Sequence, residues 1–193
     1  MSFVKTVAQI ISIGLHPFVT IVVMVIVRGW QHGSFSSTLA AVIAIGTIAI
    51  LPVAVLILYK VLTGRWTTVD AARPIERPTL YGVSLCAVFG LILYATMKRP
   101  DSVLLPGCVA IFGLLLCAWL VNRWIKISLH MAFGSLVTAV LIAGGSIVGW
   151  GMLALLPALG WSRLKLKRHT WGELLFGVIL GTMTGVAIHV WTG

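Results

Sequence analysis

The chain has 193 residues, of which 60% are hydrophobic and only 9% are charged. Soluble domains contain about 45–50% apolar residues, so a water-soluble fold of this size could not hide so much apolar surface. The composition therefore excludes an ordinary soluble domain. Together with several apolar runs of about 20 residues, it predicts an all-α integral membrane protein.

The charged residues are few and unbalanced. Fourteen Lys and Arg stand against four acids, which are Asp70, Glu76, Asp101 and Glu173. In a membrane protein, such an excess of cations either sets the topology or binds phosphate. A catalytic Mg²⁺ or Ca²⁺ site draws mainly on carboxylate and carbonyl oxygens, so this scarcity of carboxylates predicts no metal and no cofactor.

Four apolar stretches are each about as long as the 20 residues that cross a ~30 Å hydrocarbon core. They predict transmembrane helices at residues 7–28, 38–60, 79–97 and 103–122. The first stretch runs on to Val27 without a clear small-residue cleavage site, which favours a retained span over a signal peptide.

The apolar stretch from Ser128 to Gly160 is too long for one comfortable span and short for two. Gly144 and Gly145 lie in its middle, and glycine ends helices and admits the backbone angles of a tight turn. The pattern predicts a short, glycine-turned helical hairpin, with helices at residues 129–144 and 147–160.

A final helix is predicted from Trp171 to Val190. It carries Gly177, Gly181 and Gly185 at four-residue spacing, which puts all three on one face and allows a neighbouring helix to approach closely. That neighbour is either another helix of the same chain, which we favour, or a helix of a second copy in a homodimer.

These elements predict a polytopic helical bundle of about six to seven transmembrane helices in a single transmembrane domain, residues 1–193. Seven crossings would leave only Arg28, Lys98 and Arg99 on the side opposite the N-terminus. By the positive-inside rule this predicts a cytoplasmic N-terminus, and we expect a bacterial cytoplasmic membrane. The loops near residues 73, 126 and 165 would lie on the same side as the N-terminus.

Two side chains at the start of the last helix suit chemistry on phosphate. His169 and Glu173 stand four residues apart, so on a helix the carboxylate could orient the imidazole and favour its charged form. This pair is the base-and-orienter half of a catalytic triad. The alternative is structural, because Thr170 and Glu173 also match a capping box, in which Glu173 accepts from the Thr170 amide.

A second polar segment, Lys126 to His130, opens the predicted hairpin. An imidazole beside the first amides of a helix, with Lys126 close by, suits a phosphate oxygen and a departing alkoxide. In the structural alternative, Ser128 is an ordinary N-cap and His130 is a lone polar residue at the membrane interface.

A third polar segment lies earlier in the chain, from Asp70 to Pro78, and contains Arg73, Glu76 and Arg77. Its arginines are candidate phosphate ligands, because a guanidinium presents a planar fork of donors. The alternative is a loop that sets topology and pairs its own charges.

In chain order, the three segments resemble the three signature motifs of the type-2 phosphatidic acid phosphatase superfamily, whose membrane members remove phosphate from lipid phosphates and lipid pyrophosphates. The third motif of that family reads Ser-Arg, five residues, His, three residues, Asp. Ser162, Arg163 and His169 match it, and Glu173 stands at the Asp position.

The second motif of the family reads Pro-Ser-Gly-His. Ser128 and His130 match it, whereas Ile127 and Leu129 differ from it. In this respect the chain is most similar to a divergent bacterial branch of the superfamily, in which a Lys-Ile-Ser-x-His segment replaces the usual second motif.

The first motif reads Lys, six residues, Arg-Pro. Arg77 and Pro78 match it, but Asp70 occupies the Lys position. A second register begins its Arg-Pro pair at Arg73 and has Trp66 at the Lys position.

The resemblance implies a metal-independent phosphohistidine mechanism for a lipid phosphate or pyrophosphate phosphatase. His169 would attack phosphorus, Glu173 would hold its ring, and His130 would protonate the leaving lipid oxygen. The phosphate would be bound by the remaining polar residues of the segments, Arg163, Arg77, Lys126, Ser128 and Arg73. Among these, we infer that Lys126 or Arg73 replaces the charge of the missing first-motif Lys.

Two other functions stay open. One is a lipid phosphoryl transferase, or a catalytically weakened member of the same fold that binds lipid headgroups. The other is a small transporter or assembly factor whose loop cations only set topology, in which His130 and His169 would lie far apart. The expected partners are membrane lipids and a lipid phosphate, without nucleic acid, and undecaprenyl pyrophosphate, phosphatidylglycerol phosphate and phosphatidic acid are all candidates.

Overall fold

The computed structural model describes residues 3–71, 73–98 and 104–192. Within these ranges the chain forms helices and their connections, with no β-strand, which confirms the all-α prediction. A π-helical turn, Ile45–Ile50, joins α3 to α4, and a 3-10 turn, Pro74–Glu76, precedes α5. The helices are α1 (Phe3–Gly14), α2 (Pro17–His32), α3 (Phe35–Ala44), α4 (Leu51–Leu62), α5 (Arg77–Lys98), α6 (Leu104–Val121), α7 (Leu129–Ala143), α8 (Ile147–Lys165) and α9 (Trp171–Thr192).

Five of the described helices are long and apolar enough to cross a membrane, with Phe35–Leu62 counted as one helix. The bent pair α1–α2 makes a sixth if it is a single span. The chain is therefore a multi-pass helical membrane protein, with five or six such helices where six to seven were predicted. The predicted span that is too short to count is α7. Its 15 residues measure about 22 Å, less than the ~30 Å hydrocarbon core.

Contacts among the helices divide the chain into two compact units. The first unit comprises Met1–Thr38 and Val121–Gly193 and holds α1, α2, α7, α8 and α9. The second unit, Leu39–Leu120, holds α4, α5 and the greater part of α3 and α6. The single domain over residues 1–193 stays a prediction.

In the second unit, α5 packs against α4 and the π-helical turn. A Cβ on Gly90 would lie 3.4 Å from the Ile48 side chain, so this glycine allows α5 and the turn to approach closely. Phe89 on α5 and Phe112 on α6 have ring centroids 6.4 Å apart, within the range of favourable aromatic pairs.

The first unit is built around α7, which packs against α2, α8 and α9. Most of its residues are buried, on every side of the helix. A helix that is apolar all round belongs to the interior of a bundle, which explains how α7 can be shorter than a full span. The first turn of α7 lies beside the start of α9, and its last turn lies beside the end of α2. α7 therefore sets the positions of these helix ends.

The predicted hairpin is confirmed. α7 ends at Ala143, and Gly145 takes the left-handed conformation that glycine adopts without strain, with φ of +72°. A Cβ on Gly149 would lie 2.6 Å from the Ile142 nitrogen, so the absence of a side chain there lets the two arms of the hairpin touch. The second arm continues to Lys165, beyond the predicted end at residue 160.

The continuous helix predicted over residues 7–28 is wrong. The chain bends by 44° between α1 and α2, because Pro17 has no amide hydrogen and disfavours helical backbone in the residue before it. His16 takes an extended conformation, with φ of −64° and ψ of 144°, and caps α2 by accepting from the Phe18 amide at 3.2 Å.

The three glycines of α9 face α7 of the same chain and are buried. A Cβ on Gly177 would lie 2.7 Å from the Ser128 carbonyl, and one on Gly185 would lie 2.7 Å from the Leu136 carbonyl. The glycine face is therefore occupied within the chain, and it is not open to a second copy as the homodimer alternative required.

Replacing Gly181 by alanine should destabilise the first unit. The added methyl group would overlap the Ala132 carbonyl, which is backbone and cannot rotate away, and overpacking of this kind costs about 1–3 kcal/mol. Gly172→Ala is the matched control, because it lies in the first turn of α9 with nothing within 4 Å of the added Cβ. Thermal unfolding in detergent should show a lower midpoint for Gly181→Ala only. Equal midpoints would contradict the close contact between α7 and α9.

Candidate functional site

The predicted histidine–glutamate pair forms at the start of α9. His169 Nδ1 donates to Glu173 Oε2 at 2.9 Å, and the His169 side chain is only 7% exposed. The same oxygen accepts from the Thr170 amide at 3.1 Å, and the Glu173 amide donates to Thr170 Oγ1 at 3.4 Å. The orienting pair and the capping box are therefore both present. Because a carboxylate only accepts, Nδ1 carries the hydrogen, and the neutral ring has its lone pair on Nε2.

The connection between α8 and α9 brings Arg163 and His169 to the same end of the first unit. α8 ends in a Schellman motif, in which the Arg168 amide donates to the Arg163 carbonyl at 3.0 Å and the Lys167 amide donates to the Leu164 carbonyl at 2.9 Å. Lys167 takes the left-handed conformation that this motif requires, with φ of +55°. The chain reverses within a few residues, so the end of α8 and the start of α9 adjoin.

Two hydrogen bonds join the second predicted segment to this connection. The Ser128 amide donates to the Glu173 carbonyl at 3.2 Å, and Lys126 Nζ donates to the Arg168 carbonyl at 2.6 Å. Ser128 is also the N-cap of α7, where its Oγ accepts from the Met131 amide at 3.5 Å. The first turns of α7 and α9 therefore lie side by side. Capping by Ser128 is observed, and its contact with phosphate stays a prediction.

Arg163 is almost completely buried in the last turn of α8, with 1% of its surface exposed. Its Nη1 donates to Ser12 Oγ at 2.6 Å. A buried charge costs several kcal/mol unless it is hydrogen-bonded and meets an opposite charge. In the sequence of the first unit, Glu173 is the one acid among eight Lys and Arg. The sequence of this unit therefore carries a large excess of positive charge.

His130, the second residue of α7, belongs to the same cluster. It is 7% exposed. Burial lowers the pKa of His130 well below its usual range, and the neighbouring Arg163, His16 and His169 lower it further. The imidazole is therefore neutral at pH 7. The transporter or assembly-factor alternative stays open.

The break between α1 and α2 contributes two groups that sequence reasoning did not select, Ser12 and His16. The His16 ring lies edge-on to the His130 ring, with centroids 5.0 Å apart and planes at 89°. A His-Pro pair inside an apolar stretch was the available signal, because proline breaks helices and an imidazole in a membrane needs a partner. Ser12 has no comparable signal, because serine is common in membrane helices.

Arg77 and Arg73 lie in the second unit, at and just before the start of α5. Arg77 is buried, and its Nε donates to the Ala71 carbonyl over a long 3.5 Å. The Glu76 carboxylate accepts from the Arg73 amide at 3.0 Å and from the Thr67 amide at 3.4 Å. Glu76 thus organises the backbone of its own loop. The contacts of the two arginines with phosphate stay predictions.

The donor set of the first unit suits an oxyanion. Among the described residues, no group of three or more His, Cys, Asp and Glu side chains is arranged to hold a metal ion. What converges instead is a guanidinium and two imidazoles, His130 and His169, with Lys126 on the adjoining loop. Guanidinium, ammonium and imidazole groups can donate to phosphate oxygens and stabilise the charge of a transferring phosphoryl group.

The neutral state of His130 predicts that stability falls as the pH falls. The unfolded chain takes up a proton near the ordinary histidine pKa of about 6.5, whereas the folded chain does so only at lower pH. Acid therefore favours unfolding, and His130→Gln should remove this contribution. Thermal midpoints measured in detergent from about pH 7.5 to about pH 5 should fall more steeply for the wild type than for the variant. Parallel curves would show that His130 is not held neutral.

Comparison of the chain with protein-family models, with curated proteins and with solved structures found no match. The resemblance to the type-2 phosphatidic acid phosphatase superfamily therefore rests on the residues of the three segments.

Proposed function

We propose that the chain is a membrane lipid phosphate or pyrophosphate phosphatase that works through a phosphohistidine intermediate without a metal ion. One observation carries the proposal. The His169–Glu173 pair, His130 and Arg163 come from separate parts of the sequence and belong to one largely buried cluster. Structural roles alone, such as capping of α7 and α9, do not require the two imidazoles and the guanidinium to meet.

The proposed reaction has two steps. In the first, His169 Nε2 attacks phosphorus, the P–O bond to the lipid breaks, and the leaving oxygen takes a proton from His130. In the second, water attacks the phosphohistidine, its proton passes to His130, and the P–N bond breaks to release inorganic phosphate. Glu173 holds the His169 ring and stabilises its positive charge, and Arg163 binds the phosphoryl oxygens.

The electrostatics of the cluster are consistent with this cycle. At rest His130 is neutral, because burial and the neighbouring cations lower its pKa. A phosphate dianion that enters beside Arg163 brings negative charge, which favours the protonated imidazole. The general acid would therefore be charged when the substrate arrives, and its proton would be available for the leaving oxygen.

The surroundings of the cluster suit a lipid substrate. Trp124 and Trp171, which flank its two helix starts, are 78% and 76% exposed, as expected of tryptophans at the membrane interface. Lys165 and Lys167 are exposed on the adjoining connection, where they can attract anionic headgroups. The acyl or prenyl tail would stay in the bilayer. From the distribution of loop charges, we propose that this face of the membrane is exposed to the cytoplasm of a bacterial cell.

A headgroup-binding protein with weakened catalysis is the second candidate, and one observation favours it. His130 is a poor acid in its neutral resting state, so a bound phosphate must restore its proton before the first step. A protein in which this does not happen would bind lipid phosphates without releasing phosphate. A lipid phosphoryl transferase would instead consume the phosphoryl group in the presence of an acceptor lipid.

Purified protein should release inorganic phosphate from at least one lipid among phosphatidic acid, phosphatidylglycerol phosphate and undecaprenyl pyrophosphate. His169→Ala should lower this activity by about 10³-fold or more, because it removes the nucleophile. His189→Ala is the matched control, since His189 lies in the last turn of α9, and it should keep full activity. Phosphate release that survives in His169→Ala would exclude the phosphohistidine mechanism, and binding without release would favour the second candidate.

Two further variants in the same assay separate catalysis by Glu173 from capping. Glu173→Gln keeps an oxygen that accepts from the Thr170 amide but removes the charge beside His169, so activity should fall at least about tenfold with little change in thermal midpoint. Thr170→Ala removes the oxygen that caps the Glu173 amide and keeps the charge. It should lower the midpoint and spare activity. If Glu173→Gln instead kept full activity and lowered the thermal midpoint, Glu173 would act only as a helix cap.

A further inference from the structure

The break in the first apolar stretch lies against the proposed site. The His16 ring at the break lies edge-on to the His130 ring, with centroids 5.0 Å apart. Ser12 lies one turn before His16, near the end of α1.

The hydroxyl of the same serine binds the other main group of the site. Arg163 Nη1 donates to Ser12 Oγ at 2.6 Å, a short distance typical of a charge-assisted hydrogen bond. Ser12 is itself buried, with 6% of its surface exposed. One residue of α1 thus holds the guanidinium.

We propose that Ser12 is a positioning residue of the phosphate site, whose hydroxyl orients Arg163. This inference rests on the proposed function in that Arg163 is taken as a group that meets phosphate. Ser12 itself lies outside the three motif-like segments.

This bond restricts a group whose direction matters. A guanidinium binds two phosphate oxygens only if its planar fork faces them, and the Nη1 contact with Ser12 limits its rotation. Loss of this bond should therefore weaken phosphate binding.

The first arm of the test uses Ser12→Ala, which removes the hydroxyl and keeps the carbonyl. Binding of inorganic phosphate is measured from the shift in thermal midpoint with phosphate concentration, and KM and kcat are measured with a hydrolysed lipid phosphate. Phosphate Kd and KM should both rise about tenfold, the effect of one hydrogen bond to a charged group. Ser12→Thr should restore much of the binding. Thr6→Ala, at an exposed position of α1, should leave both constants unchanged.

The second arm uses Arg163→Gln, alone and combined with Ser12→Ala. If Ser12 acts through the guanidinium, Ser12→Ala should not weaken phosphate binding further in the Arg163→Gln background. A helix that merely lost stability would shift the midpoint equally in both backgrounds.

The outcomes distinguish the inference from the proposed function. If the wild type releases phosphate and Ser12→Ala leaves both Kd and KM unchanged, the positioning role is overturned and the phosphatase stands. If no lipid is hydrolysed but phosphate stabilises the wild type and Ser12→Ala weakens that effect, the positioning role stands and the phosphatase fails. If phosphate does not stabilise the wild type at all, Arg163 does not bind it and the inference is overturned. Should Arg163→Gln fail to fold, the Ser12→Ala arm decides alone.

Discussion

The close contact between α7 and α9 is the interaction on which the rest of the first unit depends. Glycines on α9 let its backbone touch that of α7, down to a distance at which any side chain would collide with a carbonyl. This contact aligns the first turns of the two helices, where the Ser128 amide meets the Glu173 carbonyl. His130 and His169 come together for that reason. The glycine spacing, which resembles a dimerisation signal, serves instead to assemble a site from two distant segments of one chain.

The low dielectric constant of the apolar bundle explains the electrostatics of Arg163 and His130. Charge buried in an apolar bundle is costly, and the first unit has eight Lys and Arg with one acid to balance them. Arg163 donates to the hydroxyl of Ser12, which is a neutral acceptor. Burial and the neighbouring Arg163 keep His130 neutral. A phosphate group would add negative charge to this unit and accept hydrogen bonds from several donors.

Much of this arrangement could be predicted from the sequence, and the remainder could not for physical reasons. Apolar run lengths predict the helices well, and the Gly144–Gly145 pair predicts the hairpin, because glycine has a distinct backbone preference. The four-residue spacing of His169 and Glu173 predicts their contact, because helical periodicity is local. Ser12 escapes prediction because its role depends on a tertiary contact with Arg163, for which no periodicity exists. The α1–α2 break could have been predicted from Pro17. It was missed because the continuous hydropathy of the stretch indicated a single helix.

The central claim, a covalent phosphoryl group on His169, is tested most directly by trapping that intermediate. Protein mixed with a radiolabelled lipid phosphate in the presence of EDTA is quenched in alkali, and the labelled peptide is identified. The account predicts label on His169 that is stable in alkali and lost in acid, absent from His169→Ala, and unaffected by the chelator. Phosphate release without any labelled histidine, or release that stops with EDTA and returns with Mg²⁺, would contradict it.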